Sequence, residues 1–184
     1  MKKLLSIIFI SILLTGCAVP IETNQYSPQN YVKVDGEIRL GNFSYLPAEL
    51  GYVKVNQIEN TALGSFMINE PIVDLVKRAT ALELRHSGIA LDGDKKTLEV
   101  KIKKFKMDDL GYSVDWFYTV NYNIIDNKSN RSLLDKEYTS TMRTTKFVTS
   151  LAEIGNILNK VVASNFDKFI NDYDARKALE KNNL

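Results

Sequence analysis

Thiol and imidazole groups are almost absent from this 184-residue chain, which has one cysteine, Cys17, and one histidine, His86. A single cysteine cannot close an internal disulfide, so no cross-link holds the domain. A zinc site of the usual Cys/His kind cannot be assembled from one histidine and one distant cysteine. An excess of one charge is lacking too. Without Lys2 and Lys3, the 24 basic residues fall to the number of acidic ones, 22, and the net charge is zero. That removes a whole-protein electrostatic case for nucleic acid, and no nucleic-acid partner is expected. There is no Gly-rich phosphate loop followed by Lys and Ser/Thr, and no G-x-S-x-G elbow. Long hydrophobic runs are missing as well. The apolar stretch Leu4–Leu14 is eleven residues, interrupted by Ser6 and Ser11, whereas crossing a bilayer core takes about 20.

What is present at the N-terminus has three parts. Lys2 and Lys3 form a short positive region, Leu4–Leu14 follows, and Leu14-Thr15-Gly16-Cys17 closes the segment with small residues before a cysteine. This is the layout of a signal peptide over residues 1–16. Its last four residues resemble the lipobox of bacterial lipoproteins. That resemblance implies cleavage between Gly16 and Cys17, a diacylglyceryl group on the Cys17 sulfur, and N-acylation of the new terminus, palmitate-type chains included. The alternative is an ordinary signal peptide or an uncut anchor in which Cys17 is incidental. One acyl chain anchors only marginally at about 0.8 kcal/mol per buried methylene, so two or three on one residue make a durable tether. Ala18 stands where an aspartate commonly implies inner-membrane retention, so the resemblance implies an outer-membrane, periplasm-facing anchor. No cofactor is expected beyond that covalent lipid.

The fourteen residues Ala18–Tyr31 hold two prolines, several amides and no sustained period. They read, with Cys17, as a flexible linker over 17–31. A single domain is expected over 32–171, with a charged tail over 172–184. Val32–Leu46 reads as a first strand, bulged near Gly36 or Gly41. Pro47–Phe66 reads as a long loop. Asn69–His86 reads as a helix with Asn69 as N-cap, Pro71 in the first turn and Gly88 after the end. Its stripe is Ile72, Leu75, Val76, Ala79, Leu82 and Ala81 or Glu83. Leu98, Val100 and Ile102 alternate with Glu99, Lys101 and Lys103 along a second strand. Tyr112, Val114, Trp116, Tyr118, Val120, Tyr122 and Ile124 share one face of the strongest strand, and the cluster Asp126–Asn130 turns it into a strand over Leu133–Thr145. Ser150 with Glu153 forms a capping box ahead of a final amphipathic helix from Leu151 to Ile170. The order β-α-β-β-β-α gives an α+β fold. It is a two-layer sandwich with a mostly antiparallel sheet and two helices packed on one face.

Candidate chemistry is sparse. His86, beside Arg85 in the last turn of a helix, reads as dipole-compensating rather than catalytic. Asp92/Asp94, Asp108-Asp109, Asp115 and Asp172/Asp174 are candidate acid/base or calcium groups, and no pair stands out; Asp92-Gly93-Asp94 reads as a turn. Lys101, Lys103, Lys104 and Lys106 form a basic cluster. It reads either as a contact for lipid phosphate or an acidic partner, or as a solvated face paired with Asp115, Asp135 or Glu137. Trp116 and Tyr118 line either an apolar groove or simply the core. Phe117, placed on the polar face, is a candidate partner contact.

From Pro71 onward, the stretches PIVDLVKRATALELRHSGIAL, TLEVKIKKFKM, YTVNYNIIDNKSNRSLLDKEYTS and SLAEIGNILNKVVASNFDKFI resemble YajG-type bacterial lipoproteins. A broader likeness is to small α+β auxiliary lipoproteins of envelope transport systems. The lipobox, the compact α+β pattern and the lack of a catalytic constellation, together with the broader likeness, point to a non-enzymatic, membrane-tethered module that binds or scaffolds an envelope component such as another protein. The alternative they imply is a carrier of lipid or a small apolar ligand. An enzyme using carboxylates would need two of them to converge in a cleft.

Overall fold

Strict two-residue alternation calls for a sheet with one buried and one open face, and the three long strands supply it. The structure is a computed structural model describing residues 21–23, 25–61, 65–145 and 151–181. The signal segment, Cys17 and the Ser150 cap lie outside these residues. In chain order the elements are β1 (Gly36–Glu37), β2 (Arg39–Tyr45), α1 (Leu46–Glu49), β3 (Gln57–Asn60), β4 (Phe66–Met67), α2 (Ile72–His86), β5 (Ile89–Ala90), β6 (Lys96–Asp108), β7 (Ser113–Asp126), β8 (Arg131–Thr145), α3 (Leu151–Asn171) and α4 (Tyr173–Leu179).

β6, β7 and β8 form an antiparallel meander. On the far edge of β6, β2 and β3 pair one after the other, both parallel to it. β2 takes Thr97–Ile102, and β3 takes Lys106 and Met107. β4 closes the sheet against β3, while β1 and β5 form a separate parallel pair. An irregularity between Ile102 and Lys104 inserts Lys103 as an extra residue. It shifts the alternation by one, so the buried series runs Leu98, Val100, Ile102 and then Phe105, Met107.

The inward face of β7 carries Val114, Trp116, Tyr118, Val120, Tyr122 and Ile124, all buried. Helix α3 covers it: Phe169 stacks on Tyr122 with ring centroids 4.3 Å apart and meets Tyr138 edge-on at 5.9 Å. Asn165, fully buried, accepts from the Tyr122 hydroxyl at 3.2 Å and donates to the carbonyls of Tyr118 and Tyr138. Helix α2 lies beside α3 and buries Ile72, Leu75, Val76, Ala79 and Leu84. The α+β two-layer arrangement follows from the pattern.

Several local expectations are corrected. The first strand does not start at Val32; it begins at Gly36 and is broken at Ile38. The loop from Pro47 holds α1, β3 and the start of β4, elements too short to show a period. Helix α2 starts at Ile72 with Pro71, not Asn69, at its N-cap, and the Asn69 carboxamide oxygen accepts instead from the Thr23 N–H at 3.2 Å. Gly88, just past the helix, adopts φ +88°, as its expected role demands. Tyr112 sits beyond β7 and is exposed rather than part of its stripe.

The C-terminal tail is also structured over its described residues, 172–181. Asp172 caps α4 through the N–H groups of Asp174 and Ala175, and Ala175, Ala178 and Leu179 are buried. Lys96, fully buried, donates to the carbonyls of Ala178 and Glu180 at the end of this helix. Hydrogen bonds from a charged donor contribute about 1.5–3 kcal/mol. Lys96→Met should therefore loosen α4, seen as faster amide exchange over 173–179 and a lower denaturant midpoint.

Candidate functional site

Ile21, buried, is the first described residue, and it adds a one-residue rung beside β4. Its N–H donates to Met67 and its carbonyl accepts from Asn69. From there the chain crosses α2. The Tyr26 hydroxyl donates to Glu83 Oε1 at 2.6 Å, the Gln29 N–H donates to the same oxygen at 3.1 Å, and the Asn30 amide donates to Glu83 Oε2. Ser87 closes the arrangement by donating to Asn30 Oδ1 at 3.0 Å. Tyr26, Asn30 and Glu83 are all buried. Burial first, and then the bond to Glu83, pushes the Tyr26 hydroxyl far above its ordinary pKa. The flexible linker expected to Tyr31 is therefore corrected from Ile21 onward: this segment is a strap fastened to the domain. Polar side chains hold it, which a reading of apolar period passes over.

At the start of the strap Thr23 bonds Glu70, and Glu70 pairs with Arg78 at 2.8 Å. The Arg78 bonds hold the Glu70 carboxyl below its usual range. A carboxyl lowered on folding stabilises the fold above its unfolded pKa, and that contribution fades as pH falls through the folded value. Glu70→Gln should lower stability at neutral and alkaline pH and match the parent chain at low pH, so that the acid side of the stability–pH profile flattens.

The outer face of the sheet holds the other candidates. Lys103 pairs with Glu137 at 2.7 Å, and Arg143 pairs with Asp115 at 2.6 and 2.8 Å. Asn121 donates to Asp135 at 2.7 Å, and Thr119 meets Thr139 at 2.9 Å. Lys104 lies over the Phe117 ring, 5.0 Å from its centroid. Phe117 is half-buried by this arrangement. Lys101 is exposed and borders a shallow depression with Asn42, Ser44, Glu99, Asn121 and Asn123. The basic cluster is thus interleaved with acids from β7 and β8 across the sheet.

Trp116 and Tyr118 stand on the opposite face. They are buried to 2% and 0% exposure. Trp116 donates its indole N–H to Thr144 Oγ1 at 3.1 Å and meets Phe66 edge-on, while Tyr118 packs on Phe105. Their expectation as ligand contacts is corrected: β7 turns them into the core. The Tyr118 hydroxyl finds no hydrogen-bond partner among the described residues. A buried unpaired hydroxyl costs about 1–3 kcal/mol. Tyr118→Phe should accordingly be neutral or stabilising in thermal unfolding, against the usual direction for a core change.

The carboxylates serve local structure. Asp108 accepts from Thr61 at 2.7 Å and from the Leu110 N–H. Asp172 bonds Lys136 at 2.6 Å while capping α4. Asp92-Gly93-Asp94 links β5 to β6, and a Cβ on Gly93 would come within 3.0 Å of the Ile38 nitrogen. Among the described residues no group of three His, Cys, Asp or Glu is placed to hold a metal ion. His86 is exposed at the end of α2, its carbonyl accepting from Lys33. No helix among the described residues is long and apolar enough to cross a membrane.

No protein-family model matches the sequence, and no curated protein matches it either. Solved structures do share the fold. A Xanthomonas campestris protein of the DUF330 family superposes with a TM-score of 0.61 at 13% identity, covering 83% of this chain and 93% of that one. An uncharacterized protein gives 0.53 at 10% identity, covering 82% and 98%. A minor lipoprotein from Acinetobacter baumannii gives 0.44 at 13% identity, covering 76% and 95%, a likeness too distant to weigh.

Proposed function

We propose that this chain is a lipid-anchored, non-catalytic binding or scaffolding module of the bacterial cell envelope. In this reading residues 1–16 are removed, Cys17 carries diacylglyceryl and N-acyl chains, and the domain faces the periplasm from the outer membrane. The observation that carries it is Leu14-Thr15-Gly16-Cys17, placed four residues ahead of the docked Ile21. The YajG-type resemblance belongs to the same reading. The polar outer sheet face, with exposed Lys101, Lys103 and Lys104 between acidic neighbours, is the surface offered to a protein partner. Charge alternation of this kind favours orientation and selectivity of docking over raw affinity.

Mass spectrometry of the mature N-terminal peptide tests the anchor. A peptide beginning at an acylated Cys17 is expected, and an unmodified Cys17 would overturn the reading. Lysine-reactive crosslinking in intact membranes tests the module. Crosslinks from Lys101, Lys103 or Lys104 to another envelope protein are expected; recovery of the chain alone under several reagents counts against it.

A further inference from the structure

We infer that the β6–β7 turn, Asp109–Tyr112, is the membrane-facing tip of the domain, with Leu110 and Tyr112 seated in the bilayer interface. This rests on the anchor reading and deepens it by fixing the domain's orientation. Ile21 bridges Ile68 in parallel and donates its N–H to Met67, so the amino side of Ile21 faces the direction of decreasing number along β4. β4 is antiparallel to β3, and β3 is parallel to β6. The amino side of Ile21 therefore faces the end of β6, where the turn lies. The opposite turn, Asn127–Asn130, points away from it.

The distances agree with this direction. Cys17 is four residues from Ile21, a reach of about 14 Å at full extension. Ile68, beside Ile21, donates to Asn56, and Asn60 is level with Met107. From Asn56 to Asn60 and from Met107 to Leu110 is seven residue steps, about 23 Å at strand rise. The turn thus extends about 9 Å past the farthest level Cys17 can reach in that direction. With acyl chains on Cys17, the tip lies at the depth where interfacial side chains sit.

The tip has the composition for that depth. Leu110 is 70% exposed and Tyr112 is 87% exposed. Leucine supplies apolar area, and tyrosine favours the headgroup level with its ring in and its hydroxyl wet. The turn is a fixed shape: Gly111 adopts φ +104°, which a side chain would strain, and Asp108 accepts from the Leu110 N–H at 3.2 Å.

The test uses the lipidated full chain in phosphatidylethanolamine-rich vesicles. With the Cys17 sulfur alkylated, Leu110→Cys supplies the sole free thiol for an environment-sensitive nitrobenzoxadiazole label, and Ser129→Cys labels the opposite turn. The label at 110 should shift to the blue and be quenched about twofold or more by nitroxide lipids, with no change at 129. Tyr112→Cys should repeat the result. Equal water exposure at 110 and 129, in protein that floats with the vesicles, overturns the orientation and leaves the anchor standing. An unacylated Cys17 overturns the anchor, and the orientation with it.

Discussion

Glu83→Ala should release the strap and lower the stability of the domain by about 3–5 kcal/mol, a severe loss for one side chain. The carboxylate is completely buried and serves three donors at once: the Tyr26 hydroxyl, the Gln29 N–H and the Asn30 amide. Alanine leaves all three without their acceptor in a site lined by the strap and α2. Each buried donor stranded in this way costs about 1–3 kcal/mol, and the group recovers part of it by detaching into water. Amide exchange over 21–35 should therefore approach free-peptide rates while β6, β7 and β8 stay protected. Glu83→Gln should cost less, about 1–2 kcal/mol. It keeps an oxygen for Tyr26 and Gln29 but sets its own amide against that of Asn30. If strap exchange in Glu83→Ala matched the parent chain, the fastening would reside in Ile21 and its bridge to Ile68 instead.

On the anchor reading the strap also sets a distance. Fastened at Ile21, the domain stands within about 14 Å of Cys17. Released as far as Asp35, the same chain could reach about 60 Å. Glu83 would then separate a domain pressed on the bilayer from one on a long leash. A crosslinking pattern that moves from membrane-proximal to distant partners in Glu83→Ala would show that difference.

How much of this was legible depends on which force holds each part. Apolar alternation dictates β6, β7 and β8. The buried series on β7 from Val114 to Ile124 is the one the period marks, because a slip of one residue would expose all six side chains. Lys101 and Lys103 fall on the outer face for the same reason. The helical stripe even placed Glu83 among inward positions, as an alternative to Ala81. Its purpose could not be read there, since its partners Tyr26 and Asn30 lie more than fifty residues away in a polar segment. Lys96 is hidden in the same way, its partners being backbone carbonyls at the far end of the chain. Phe105 and Met107 fall out of phase with Ile102 because Lys103 is an extra residue, and a bulge leaves no compositional mark. α1, β3 and β4 run only two to four residues, below one period of any kind. Among the site candidates, the tip residue Tyr112 was grouped with Trp116 and Tyr118 by spacing alone. Only the end of β7 at Ser113 separates the exposed ring from the buried ones.

The second large effect concerns Cys17. On the anchor reading, a chain whose mature part begins at Ala18, behind a signal cut at that point, should leave the membrane almost completely and appear in the soluble periplasmic fraction. The reasoning is additive in methylenes. At about 0.8 kcal/mol each, two or three acyl chains hold a protein far more firmly than the single chain that suffices only for reversible binding. Nothing among the described residues replaces them: no helix there is long and apolar enough to cross, and the tip offers two side chains, Leu110 and Tyr112. On the anchor reading, Cys17→Ser behind the native leader should likewise carry no acyl mass, because serine lacks the sulfur that would take the diacylglyceryl group. Both changes should leave the fold intact, since the bonds of Ile21 and of the strap all lie after Cys17. Thermal unfolding of the Ala18 chain should match that of the lipidated protein in detergent. Fractionation decides the matter: retention of the Ala18 chain in washed membranes would mean that a partner, not lipid on Cys17, holds the domain at the envelope.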